Sequence, residues 1–399
     1  MVSVREADEI IAQVPAVLSV KSVLLREATG CVLAEEIRAD RDIPPYDRVA
    51  MDGFAIDSGA YAAGKSFRIA GIQPAGSEPL LLASPNDCIE VMTGALLPNG
   101  TNTVIRYEDG EVAEGYFRPH PELQVMPYVN IHRKGTDARR DDVLLSPGTF
   151  ISPAEAAILA SVGKATVSVY ELPRAVVIST GDELVPVDAH PQPHQIRQSN
   201  TYALQAAMHA LNWKAEAVHI KDDDQELRKR LAQFLNDFDV LILTGGVSKG
   251  KFDYLPRVLE DLGVKKLFHQ VAQKPGKPFW FGMSNSGKVV FALPGNPVST
   301  YLCFYRYIRP WILRSLHIPI PLVEAELTEE VIFKPTLTYF LQAEVYLSRG
   351  KVWARPVAGH GSGDFVNLKN VNAFVELPAD QTVFPAGKTF PIITFRPLF

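Results

Sequence analysis

Cysteine is scarce in this chain, with three in 399 residues, at Cys31, Cys88 and Cys303. The number is odd, the spacing is wide and no CxxC pair occurs. Neither a disulfide framework nor a zinc site is implied, and a reducing compartment fits. Long apolar runs are also missing. The longest candidate, Val298 to Leu316, is broken by Arg306, Arg309 and Pro310, short of the roughly 20 apolar residues of a membrane span. No basic excess exists either: 40 Lys and Arg against 45 Asp and Glu leave a net charge of −5. That balance excludes the electrostatic footprint of a nucleic-acid binder. Small anions stay possible, because a local group of lysines and backbone N–H groups can override the net sign. Met1 to Glu9 are charged and amphipathic, without the apolar stretch of a secretory leader, so a cytoplasmic protein is expected.

What the chain does have is length enough for several cores and punctuation throughout. Its 30 prolines and 27 glycines are spread along it, marking many turns and no single disordered tail. The pattern predicts a multidomain protein of α/β and β class. Residues 1–45 with 141–171 form an elongated N-terminal and linker region, which begins with a helix placing Ile10, Ile11, Val14 and Val17 on one face. Residues 46–140 form an inserted β domain, since short alternating runs there are broken by Gly, Pro and Asn. A helix near Pro153 to Val162 then leads into residues 172–317, where strand and helix signals alternate. Residues 318–399 return to β alternation, as in Thr338 to Gln342, and predict a small β-barrel.

In the third zone, Ala175 to Ser179 is a continuous apolar run that reads as a buried parallel strand, and Ala215 to Ile220, Val240 to Thr244 and Val289 to Leu293 read as further strands. Helices are expected between them: one capped by Asn200, one over Gln225 to Phe234, one from about Tyr254 to Leu262, and a long one over Val298 to Ser315. Such repetition implies a parallel sheet with helices on both faces. All strand-to-helix loops then leave at one edge, where ligands bind. Those loops carry Thr180-Gly181-Asp182-Glu183, Asp222-Asp223-Asp224, Gly245-Gly246-Val247-Ser248 running on to Asp253, and Pro294-Gly295-Asn296-Pro297, with a basic loop from Lys274 to Lys277 nearby. Glycine loops at helix N-termini offer N–H groups to phosphate. Carboxylates facing a phosphate make sense when Mg²⁺ lies between, since it binds through one or two carboxylates plus substrate oxygens. A phosphorylated ligand with Mg²⁺ follows.

Blander readings exist for each element. Gly245-Gly246 serves equally as a tight turn, Lys274 and Lys277 as solvated charges, and Asp224 as the cap of the next helix, leaving Asp222 and Asp223 for a site. Their coincidence at one edge favours a site. Two near-misses fail. Gly245 to Lys251 matches part of a P-loop, but Phe252 stands where Ser or Thr must reach the metal. His190 and His194 have helical metal spacing, but Pro191 and Pro193 preclude the helix.

Taken in order, these loops resemble those of the molybdopterin molybdenumtransferases, the family that includes the E domain of gephyrin. The resemblance rests also on Asp42 to Asp47, Ala50-Met51-Asp52-Gly53-Phe54-Ala55, Met92-Thr93-Gly94-Ala95, Lys274-Pro275-Gly276-Lys277-Pro278 and Leu293 to Pro297. It implies a four-domain chain, an elongated homodimer with the active site shared between subunits, and hydrolysis of adenylyl-molybdopterin with release of AMP as molybdate passes to the dithiolene sulfurs. Asp52, Thr93, Glu183, Asp222, Asp253, Lys274 and Ser362 match residues linked to activity. Glu183, Asp222 and Asp253 are implied as Mg²⁺ ligands. Thr180, Gly181, Gly245, Gly246, Ser248, Lys277, Pro294, Gly295, Asn296 and Pro297 are implied in substrate binding. Gln270 stands where many members have Lys, which removes one anion contact. Two rival readings are the adenylyltransferase that makes the intermediate, usually one short domain, and a gephyrin-like scaffold without catalysis.

Overall fold

The computed structural model describes residues 1–247 and 255–397, so Ser248, Asp253 and the loop between them lie outside the described residues. The elongated region is built from two antiparallel pairings far apart in sequence. Ser19–Leu24 pairs with Thr166–Glu171, and Ile37–Arg38 with Val143–Leu145. Between them the chain runs out into a six-stranded sheet and returns. Ala28, Leu33, Ile37, Leu145, Leu159 and Val169 close a small core around these ladders. The helix Pro153–Ser161 packs there, started by a capping box in which Ser152 and Glu155 satisfy each other's end groups.

The opening helix covers Val4–Ala12 and buries Val4, Ala7 and Ile11. It is shorter than its apolar periodicity suggests: Pro15 cannot continue it, and Val17 is 82% exposed instead of sharing the buried face. This helix packs on the α/β layer. Asp8 pairs with Arg306 at 2.7 Å, and the Trp311 indole N–H donates to Val14 O at 2.6 Å.

The α/β sheet has the order Ala215–Ile220, Ala175–Thr180, Val240–Thr244, Val289–Leu293, Trp280–Ser284, Val264–His269. The first four strands are parallel. The inner three are buried throughout, in keeping with their continuous apolar runs, whereas the edge strand Ala215–Ile220 carries Glu216 and His219 and is only partly buried. Successive residues point to opposite faces: Val177, Ile242 and Phe291 enter one core, Val176, Leu241 and Val290 the other. Each such side chain contributes about 1.5–3 kcal/mol of burial. The last two strands are antiparallel and were not foreseen. Lys265 and Lys266 interrupt the apolar signal of the edge strand, where charge discourages pairing with other chains. The expected long helix is one helical run with a π turn over Phe304–Ile308, set between Pro297–Cys303 and Arg309–Ser315. Pro310 falls in the first turn of the resumed helix, where its missing N–H is tolerated.

The C-terminal strands close a barrel. Thr338–Ser348 pairs with Lys351–Pro356 and Ala373–Leu377, Thr389–Thr394 with Ala373–Leu377 and Val323–Leu327, and Val323–Leu327 with Lys351–Pro356. The strand Gln273–Lys274 adds to Thr338–Tyr339, so the basic loop is tied directly to the barrel. Arg306 fastens the same junction: its side chain is 13% exposed and reaches both Asp8 and Glu376, the latter at 2.9 Å.

Candidate active site

Register alone gathers the strand ends. Thr180 lies beside Ile220, Ser179 beside Thr244, and Thr244 beside Leu293, so the four loops that follow leave at one edge. Gly245 has φ +96°, and a Cβ there would stand 3.0 Å from Thr180 O and 3.1 Å from Thr180 Oγ1. A side chain there would be strained by the positive φ and crowded against Thr180, so glycine suits the position. The loops enclose a cavity of about 250 Å³ lined by Thr180, Glu183, Arg197, Asn200, Thr201, Gly245, Gly295, Asn296 and Pro297 among others. Gly181 and Gly246 do not line it; a Cβ at each would meet Glu183 and Thr180 respectively, which do.

Asn200 does not cap its helix. Ser199 holds that position, and the Asn200 amide turns inward to donate to Thr244 Oγ1 at 2.9 Å, Gly295 O at 2.8 Å and Thr300 Oγ1 at 3.3 Å. It therefore binds together a strand end, the Pro294–Pro297 loop and the next helix. An asparagine at a helix start reads by default as a cap, so nothing in the sequence distinguished this use.

A second cavity, of about 350 Å³, opens between the sheet edge and the barrel. Lys274, Lys277, Pro294, Asn296, Tyr339, Gln342 and Ser362 line it. Asn296 lines both cavities and donates to Ser362 Oγ at 2.8 Å, while Val298 N–H donates to Ser362 O at 3.1 Å. The basic loop is shaped from beneath by Gln273, which is fully buried. Its amide donates to Gly276 O at 3.2 Å and its oxygen accepts from the Tyr307 hydroxyl. Burial pushes that hydroxyl well above its usual range, so it remains a donor. The sequence showed the lysines but gave no sign of this support. Gln270, where a lysine was missed, lines neither cavity, and its carbonyl accepts from Val2 N–H at 3.0 Å.

The carboxylates are more dispersed. Glu183 is exposed and folds over Gly181. Asp222 N–H donates to the Asp182 carboxylate at 3.2 Å, which ties two loops together. Asp223 caps the helix Asp224–Asp237 by accepting from Glu226 N–H at 2.8 Å, so the cap falls one residue before the expected Asp224. Among the described residues no three His, Cys, Asp or Glu side chains gather as a metal group. Glu183 and Asp222 still supply the hard oxygen donors that suit Mg²⁺, which takes few protein ligands and keeps water or substrate oxygens.

Asp52 and Thr93 meet elsewhere. Gly53 pairs with Val91 in antiparallel strands of the inserted sheet, which sets the residues just outside them side by side. Thr93 donates both its N–H (2.6 Å) and its hydroxyl (2.7 Å) to Asp52 Oδ1. These bonds, the backbone one foremost, hold the carboxyl below its ordinary range. Among the described residues, no hydrogen bond, ion pair or cavity joins this pair to the sheet edge in the same chain.

Three family models match in succession: the MoeA N-terminal region (domain I and II) at residues 2–163, a probable molybdopterin binding domain at 176–314, and the MoeA C-terminal region (domain IV) at 324–395. The molybdopterin molybdenumtransferase of Synechocystis is 40% identical over 366 residues, covering 91% of this chain and 92% of that one. The chain belongs to the molybdopterin molybdenumtransferase family. The enzyme of that name from Bacillus subtilis is 32% identical, over 94% of this chain and 89% of that one. A molybdopterin biosynthesis protein from Pyrococcus horikoshii superposes with a TM-score of 0.84 at 27% identity, each chain covered completely. A likeness to transferases along the whole length does not favour the short adenylyltransferase or the scaffold. No helix among the described residues is long and apolar enough to cross a membrane.

Proposed function

We propose that this chain inserts molybdate into adenylyl-molybdopterin, hydrolysing the phosphoanhydride and releasing AMP, as the last chemical step of molybdenum cofactor synthesis. The observation that carries this reading is the pair of cavities joined at Asn296, one walled by glycine loops and the other by Lys274 and Lys277. Phosphate oxygens suit the first, and the two ammonium groups would offset anionic charge as the anhydride breaks. Loops fixed by Asn200 and Gln273 keep these groups in place before substrate arrives, which lowers the reorganisation needed in the reaction. Glu183 and Asp222, with Asp253, would hold Mg²⁺, whose chemistry when bound is charge neutralisation on phosphate oxygens.

The division at 1–45 with 141–171, 46–140, 172–317 and 318–399 belongs to this reading, as does a cytoplasmic homodimer. Asp52 and Thr93 would complete the site from the other subunit. Incubating the chain with adenylyl-molybdopterin and Mg²⁺ should release AMP only when molybdate is added. AMP release that ignores molybdate, or none under any condition, would sink the proposal.

A further inference from the structure

Four buried side-chain polar atoms among the described residues lack a hydrogen-bond partner: Thr103 Oγ1, Thr180 Oγ1, Thr201 Oγ1 and Trp280 Nε1. A buried hydroxyl left without a partner is unfavourable, so each needs a reason. Thr180 and Thr201 share one. They are 7% and 3% exposed, and both line the 250 Å³ cavity.

Thr201 also stands in the first turn of the ten-residue helix Asn200–His209. Ser199, at the cap position, makes no side-chain cap bond. Ala203 N–H returns to Ser199 O at 3.0 Å, but among the described residues the N–H groups of Asn200, Thr201 and Tyr202 meet no acceptor. The helix dipole adds roughly half a positive charge at this end. Arg197 lines the same cavity. N–H groups can only donate, and two hydroxyls without acceptors stand with them. Such a surface calls for a ligand rich in acceptors and negatively charged.

We infer that this end of the cavity is a tetrahedral-oxyanion subsite, in which the Thr180 and Thr201 hydroxyls and the first N–H groups of the Asn200–His209 helix hold phosphate-class oxygens. Whether the oxyanion is the phosphoryl group of the substrate or molybdate itself depends on the function proposed above; the subsite does not. Thr201 is thus a recognition residue that neither its position nor its neighbours in sequence announced.

The test uses Thr201→Val and Thr180→Val, which keep shape and remove the hydroxyl, with Thr201→Ser as the variant that restores it. Because no internal hydrogen bond is lost, both valine variants should melt at or above the wild-type temperature. Calorimetric titration with inorganic phosphate and with molybdate should show binding weakened about tenfold or more in Thr201→Val and largely recovered in Thr201→Ser, as expected for a hydrogen bond to a charged group. In turnover, a raised KM for adenylyl-molybdopterin with an unchanged KM for molybdate would identify the phosphoryl group. The reverse would identify molybdate. Unchanged titrations and unchanged KM values in folded valine variants would overturn the subsite. A wild-type chain that binds phosphate through Thr201 but never releases AMP would leave the subsite standing and sink the function.

Discussion

The Asp52–Thr93 corner and the edge of the α/β sheet treat polar groups in opposite ways. At the corner, an exposed carboxylate is already satisfied by two donors from one neighbouring residue. At the sheet edge, two cavities that share Asn296 are lined with donors, and in one of them the Thr180 and Thr201 hydroxyls are unmet among the described residues. One region offers a carboxylate held in place by its neighbour, and the other offers cavities lined with donors, with Glu183 exposed at their edge. Within a symmetric dimer any contact from the first chain to the second is repeated in reverse, so two such half-sites can be completed at once.

The most severe break in this comparison is to disable each half on a different chain. Asp52→Ala and Glu183→Ala should each lower AMP release by at least about a hundredfold, the scale seen when a preorganised electrostatic contact is removed. Neither should unfold the chain, since both side chains are exposed. If the chain forms the proposed homodimer with shared sites, co-refolding equal amounts makes about half of the dimers mixed, each with one site carrying both lesions and one carrying none, so roughly a quarter of wild-type activity should return. Were both halves drawn from one chain, every site would keep one lesion and nothing would return.

The junction between sheet and barrel is different again, because it is made within the chain. Arg306 lies between Asp8 and Glu376, with little exposure on any partner. Burial opposes its charge, but the two carboxylates outweigh that and raise its pKa. Arg306→Met leaves two half-buried carboxylates without a cation. Urea unfolding should show a loss of about 3–5 kcal/mol. A loss within about 0.5 kcal/mol would mean that solvent screens the cluster and that other contacts hold the barrel.

How legible these regions were follows from what kind of signal each leaves. Three of the four parallel strands announce themselves, because burial on both faces demands unbroken apolar runs such as Val240 to Thr244; the fourth, Ala215–Ile220, is a partly exposed edge strand. The antiparallel edge strand was lost because Lys265 and Lys266 face out and blur the period. At the site, the glycine and lysine loops stood out by residue type, and their convergence followed from parallel topology. Asn200, Gln273 and Thr201 did not. Their roles depend on which way a side chain turns and on which partner it lacks, and neither is written in local spacing. The cap at Asp223 instead of Asp224 is the same lesson on a smaller scale, since boundaries shift by a residue when several acidic residues compete.

A smaller effect should come from the basic loop. Lys274 is exposed, and its ammonium stands 5.6 Å from the centre of the Phe333 ring. Lys274→Ala should raise KM for adenylyl-molybdopterin or for molybdate about tenfold, the scale of one charge-assisted contact. The melting temperature should stay within about a degree, since exposed charges add little to stability. If the variant melted early with KM unchanged, the lysine would serve packing on Phe333 and not the ligand.

The mildest test returns to the corner. Thr93→Val removes the hydroxyl that donates to Asp52 but keeps the backbone N–H, which is the larger cause of the lowered carboxyl pKa. That pKa should therefore rise only part of the way toward its ordinary value. A carboxylate with a depressed folded pKa contributes stability above its unfolded pKa and loses it as pH falls through the folded one. In the variant that loss should begin at higher pH, and the acid limb of AMP release should move the same way. Near neutral pH, Asp52 is ionised in both proteins, so only the orienting hydroxyl is missing. Turnover there should fall only a few-fold, because the Thr93 backbone N–H still holds Asp52 in place. Rate profiles from pH 4 to 8, with folding checked at each point, separate two roles for Thr93. A shifted acid limb with a small loss at neutral pH means that it holds Asp52 in place. A large loss at every pH with the limb unmoved would mean that the hydroxyl itself touches the substrate, and the corner would then be a donor site instead of a fixed carboxylate.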